Sequence, residues 1–148
     1  MLVLLDLSES TNDPTSLPGQ SVLDLTRAAC VLLAEAIHRV GDSFAIHGFN
    51  SDGRANVFYR RFNDFDQPWG DLAKARLAAA DGALSTRMGA AIRHATLHLG
   101  KVTATRRLML VITVGAPADV DVRDAGWLPA DTRPPYRRRC SAASCRFA

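Results

Sequence analysis

The chain has 148 residues, 47% of them hydrophobic and 22% charged, which is one domain's length with enough apolar side chain for a core. That balance excludes disorder for most of the chain. The longest apolar runs, near Leu2–Leu5 and Leu108–Val114, fall far short of the roughly 20 residues of a bilayer span. The net charge of +3 is local: residues 134–148 carry Arg137, Arg138, Arg139 and Arg146 and no acid, leaving 14 basic and 15 acidic residues elsewhere, so the charge does not argue for a nucleic-acid partner.

Residues 1–7 form a continuous apolar run ending near an acid, the pattern of a strand buried on both faces. Residues 8–21 are polar and contain Pro14, Pro18 and Gly19, which predicts a loop. Ser21 is a helix N-cap with Asp24 in the first turn. Apolar residues then recur with helical spacing from Val22 to Val40, and Gly41 ends them. Residues 43–49 and 54–60 predict two antiparallel strands joined by the turn signal Asn50-Ser51-Asp52-Gly53. Residues 62–69 are an aromatic, acidic connector in which Trp69 is a packing anchor. A short helix is expected over 72–80 and a loop over 83–88. A second amphipathic helix follows over 89–99, with Ile92, Ala95, Thr96 and Leu99 inward. Residues 107–113 predict another buried strand, followed by a loop bearing Asp119, Asp121 and Asp124.

The order implies an α/β fold: a doubly wound, mostly parallel sheet with helices on both faces. Ligands of such sheets bind beyond the carboxyl ends of the strands. The domain is expected over 1–133. Residues 134–148 are expected to be a basic, disordered tail or the product of a reading-frame slip after Arg133. Cys30 reads as a small core residue, and Cys140 and Cys145 lie in that tail; the three have no metal-binding spacing and imply no oxidising compartment. Met1 opens onto a strand-like run without a basic leader, so the expected location is the cytoplasm.

The chemistry concentrates in Asp6-Leu7-Ser8-Glu9-Ser10, at the end of the first strand. Alternate residues of an extended segment point the same way, so one carboxylate and two hydroxyls can face a common point. Oxygen donors suit a hard cation, Mg²⁺ above all. Residues 84–89, Leu-Ser-Thr-Arg-Met-Gly, precede a helix and resemble the second loop of a metal-ion-dependent adhesion site. With the element order, the chain resembles a von Willebrand factor A domain. Segments 5–13, 44–54, 84–96 and 119–122 narrow the resemblance to the A domain of the NorD/CbbO group.

In that group the domain is the C-terminal part of a longer protein that works with a MoxR-type AAA+ ATPase to activate nitric oxide reductase or Rubisco. The resemblance implies that Ser8, Ser10 and Thr86 bind Mg²⁺ directly and Asp6 through water. An acidic side chain of a partner would take the open position, and Arg87 is the cation beside it. The family's third loop reads Thr-Asp-Gly-Glu-Pro, whereas here it reads Thr113-Val114-Gly115-Ala116-Pro117. Val114 stands where a second aspartate belongs, which implies weakened or lost metal binding. The family pattern also implies at least one further strand–helix pair, which the tail does not supply.

Other candidate residues have simpler readings. His94 and His98 are spaced to bind zinc, but with no third ligand evident they predict a solvated helix face. Glu9 lacks a nucleophile or second acid to serve. No phosphate-binding glycine loop is present, so nucleotide hydrolysis is not expected. The expected function is a non-catalytic binding module without nucleic-acid or membrane partners. The alternatives are a metal-dependent hydrolase using Asp6 with Asp119, Asp121 and Asp124, and a non-functional fragment of the module.

Overall fold

The computed structural model describes residues 1–53 and 55–114 and the backbone of 146–147. Five strands form one sheet: β1 (Leu2–Asp6), β2 (Ala45–Asp52), β3 (Asn56–Asn63), β4 (Met109–Ile112) and β5 (Arg146–Phe147), in the order β4-β1-β2-β3-β5. β1 runs parallel to both β2 and β4, and β3 parallel to β5; β2 and β3 form the antiparallel hairpin. Helices α1 (Val22–Val40) and α2 (Asp71–Ala78) pack on one face and α3 (Met88–Gly100) on the other. The expected α/β architecture with helices on both faces is therefore present.

Alternation along β1 divides the core. Val3 and Leu5 join Leu23, Cys30 and Ala34 of α1 and Ala73 and Leu77 of α2. Leu2 and Leu4 join Ala90, Ala91, Ala95 and Leu99 of α3. Every residue of β1 is buried, which explains why its sequence shows no polar alternation. Cys30 is an inert core thiol whose burial pushes its pKa up to about 11. Trp69 packs edge-on against Phe44 at 5.6 Å, and its Nε1–H donates to Glu35 at 3.1 Å.

The ends of α1 follow the sequence signals. The Ser21 hydroxyl accepts the Asp24 N–H at 3.2 Å, and the Asp24 carboxylate accepts the Ser21 N–H at 3.0 Å, a reciprocal capping box. Gly41 ends the helix at φ +84°, where a side chain would be strained.

Three expectations are corrected. β2 ends at Asp52 and β3 at Asn63, beyond the expected 49 and 60, because the ladder runs from the pair Ile46 and Asn63 to the pair Asp52 and Asn56. Buried Asn50 and Ser51 fit within a strand because both are stitched to the loop before α3. Thr96 faces solvent, not the core: Ala91, Ala95 and Leu99 form the buried stripe of α3, and the Thr96 hydroxyl donates to the Ile92 carbonyl at 2.8 Å. β4 is not fully buried; among the described residues it is a sheet edge, with Leu110 39% exposed. Within the expected tail, residues 146–147 form β5 beside β3, where they meet backbone groups of an edge that is otherwise unpaired among the described residues. The loop over 115–133 and the remainder of the tail lie outside the described residues.

Candidate functional site

The chain leaves β1 through α1 to β2 on one side and returns through α3 to β4 on the other. The connections diverge between β1 and β4, so a crevice opens at the carboxyl ends of these two strands. Asp6 ends β1 there, and Thr113 directly follows β4.

Asp6 is 3% exposed and organises three segments. Its carboxylate accepts the Ser8 N–H at 2.9 Å, the Thr86 hydroxyl at 3.3 Å and the Thr113 hydroxyl at 2.8 Å. The Ser8 and Ser10 hydroxyls lie 3.1 Å apart. Ser8 is buried and Ser10 exposed, so the pair spans the boundary between core and solvent. All four residues singled out from the sequence thus gather at one place, and Thr113 joins them as a fifth oxygen donor. Two cis ligands on an octahedral ion with bonds of about 2.0–2.1 Å lie about 2.9 Å apart, close to the Ser8–Ser10 spacing. The donor chemistry therefore fits a hard divalent cation.

Local structure fixes this arrangement. Residues Glu9–Asn12 form a 3₁₀ turn where only a loop was expected. The Thr11 hydroxyl donates to the Ser8 carbonyl at 2.7 Å, and the Asn12 amide donates to the Gly82 carbonyl at 2.8 Å. The loop before α3 is tied down by Ala83 N–H to Leu7 carbonyl at 2.8 Å and Glu9 N–H to Leu84 carbonyl at 2.9 Å. Leu84 adopts φ +67°, a conformation costly for a branched side chain, and exposes 45% of its surface beside the site.

Gly82 sits so close to this turn that an added Cβ would meet the Thr11 hydroxyl and the Asn12 side chain. Gly82→Ala is therefore expected to displace the turn carrying Ser8 and Ser10 and to cost about 1–3 kcal/mol. Urea denaturation, with amide chemical shifts of 8–12 as the local readout, checks this. Unchanged stability and shifts would show that the contact does not position the site.

Arg87, expected as an accessible cation, is instead buried at 6% exposure. Its position inside the α3 junction makes it part of the scaffold. Glu9 is exposed. Val114 is 37% exposed and follows Thr113 directly, so its side chain is at the margin of the crevice. Asp119, Asp121 and Asp124 lie outside the described residues.

The histidines depart from the expected solvated face. His47 is fully buried, and Tyr59, His94 and His98 gather around it. No helix among the described residues is long and apolar enough to cross a membrane.

No family model matches the chain. Protein NorD of Stutzerimonas stutzeri is 39% identical over 132 residues, covering 89% of this chain and 21% of that protein. Protein NorD of Brucella abortus (strain 2308) is 36% identical over 131 residues, covering 88% and 20%. Among solved structures, the vWF domain of the type V pili tip protein Mfa5 from Porphyromonas gingivalis matches 78% of this chain and 37% of its own, with a TM-score of 0.53 and 15% identity, a likeness of fold. This chain, which spans about one fifth of the length of the NorD proteins it matches, has the fold of a von Willebrand factor A domain and resembles part of those NorD proteins.

Proposed function

We propose that the chain is a non-catalytic protein-binding module with a degenerate metal-ion-dependent adhesion site, working with a MoxR-type AAA+ ATPase to activate nitric oxide reductase or Rubisco in the cytoplasm. The observation that carries this reading is the oxygen-only cluster of Asp6, Ser8, Ser10, Thr86 and Thr113 at the carboxyl end of β1. Kinship to NorD proteins supports the assignment to an accessory role. Ser8, Ser10 and Thr86 would hold Mg²⁺ directly, and Asp6 would hold it through water. Bound there, the ion supplies a net positive point for a partner's carboxylate. Asp6 keeps the hydroxyls of Thr86 and Thr113 facing the crevice, and burial of Ser8 limits competition from bulk water.

Val114 places an apolar side chain where the family's second aspartate stands, which removes a negative charge and an anchor for ordered water. Mg²⁺ binding is therefore expected to be weak, with Val114→Asp strengthening it at least tenfold, about 1.4 kcal/mol. Titration calorimetry of the two proteins and of Ser8→Ala with Ser10→Ala measures this. Equal affinity in all three would remove the cluster as a metal site. Magnesium-dependent hydrolysis of a generic phosphate ester that is lost with Asp6→Asn would overturn the non-catalytic reading.

A further inference from the structure

Three of the four histidines, His47, His94 and His98, meet on the face of the sheet covered by α3, away from the Asp6 crevice. His94 and His98 are separated by one turn of α3, with their Nε2 atoms 3.2 Å apart. Two ligands of a tetrahedral ion with Zn–N bonds of about 2.0–2.1 Å lie about 3.3 Å apart. Imidazoles sharing such an ion place their ring centres about 5 Å apart; here His94–His98 is 4.9 Å and His47–His98 is 5.4 Å.

His47 adds an independent observation. Its side chain is 0% exposed, and its Nε2 has no hydrogen-bond partner among the described residues. Its Nδ1 is engaged by the Tyr59 hydroxyl at 2.8 Å. A metal-binding histidine commonly has its other nitrogen fixed in this way, which leaves Nε2 as the donor. Asp64 lies 3.7 Å from that Nε2 and is held in place by the Phe65 N–H and by Arg61.

We propose that His94 and His98 chelate a divalent transition ion of the zinc class, with His47 closing onto it from β2. Among the described residues no three His, Cys, Asp or Glu side chains already converge on one point. Closure therefore requires the three imidazoles to draw together with the Tyr59 contact to His47 kept, and water fills the remaining position. Burial lowers the pKa of all three imidazoles, His47 to about 4, so each offers a neutral nitrogen at neutral pH. Asp64 supplies negative charge, opposed by Arg61 and Lys101. His94 and His98 are half-buried, which leaves an entry path from solvent. The ion would join α3, which follows the loop that carries Thr86, to β2, whose Ser51 pairs with Ser85 of that loop.

Zinc titration of the whole chain in excess Mg²⁺ tests this, read by the imidazole proton resonances and by calorimetry. The expected result is a 1:1 event that shifts the His94, His98 and His47 resonances and raises the melting temperature. His94→Gln and His98→Gln should each weaken it at least tenfold, while Ser8→Ala with Ser10→Ala leaves it in place. The spectra of the unsubstituted chain decide the matter even if a glutamine variant fails to fold. Zinc bound without movement of the His94 and His98 resonances places the ion on other residues and overturns the proposal. So does no binding at millimolar zinc.

Discussion

Phe49→Ala is expected to lower the unfolding free energy by about 3–5 kcal/mol, the usual range for deleting a buried aromatic ring. Phe49 is 0% exposed and lies on the sheet face shared with Leu2, Leu4, Val57, Tyr59 and the alanines of α3. Those alanines are short and fixed on a helix, so the neighbours cannot collapse easily into the space left by the ring. Phe49 also pairs in register with Asp6, and its carbonyl accepts the Leu7 N–H at 2.8 Å. The substitution should therefore loosen the end of β1 as well as the core. Urea denaturation against Leu97→Ala, at a position 63% exposed, gives the comparison. The latter should stay within about 0.5 kcal/mol of the parent. A loss below about 1 kcal/mol for Phe49→Ala would mean that the ring does not anchor this face.

Those elements whose signals are local could be read from the residues alone. The apolar run of β1, the Ser21 and Asp24 cap, the Gly41 stop and the β2–β3 hairpin each arise from a few neighbouring residues. The motif Asp6, Ser8 and Ser10 was legible for the same reason, since alternation brings its side chains together. Thr86 needed the family resemblance, because 80 residues separate it from Asp6 and no spacing rule relates them. Thr113 belongs to the third loop, and the signal for its hydroxyl was its place directly after a parallel strand.

The rotation of α3 was legible only in part: Ala95 and Leu99 are inward as expected and Ile92 packs against the core, but Thr96 faces solvent and Ala91 takes the inward place. Small side chains won because they let the helix approach the sheet closely, which turned His94 and His98 toward Tyr59 instead of solvent. The exposure of β4 and the pairing of residues 146–147 depend on which strand lies at each edge, a property of the whole sheet.

Partner capture should be the most sensitive measure of the proposed function. If a partner's carboxylate completes the ion's coordination, the docking surface centres on the crevice between the ends of β1 and β4. Ser8→Ala with Ser10→Ala removes the two hydroxyls proposed as direct ligands while leaving the Asp6 contacts to the Ser8 N–H, Thr86 and Thr113 intact. With Val114 in place the proposed ion would be held weakly, so this double substitution should change capture of the proposed MoxR-type ATPase only slightly. In the Val114→Asp background, the same double substitution should weaken capture at least tenfold, about 1.4 kcal/mol. Asp6→Asn keeps the shape of the carboxylate but removes its charge, and should behave like the double substitution. Val40→Lys, 76% exposed at the far end of α1, is the control and should leave capture unchanged. Affinities measured with immobilised ATPase, with Mg²⁺ and with chelator, separate the metal contribution from contacts made by the rest of the surface. Capture that ignores Ser8, Ser10 and Asp6 but falls with Val40→Lys would move the docking surface to the opposite end of the sheet. The crevice would then hold a metal, if at all, for some other purpose.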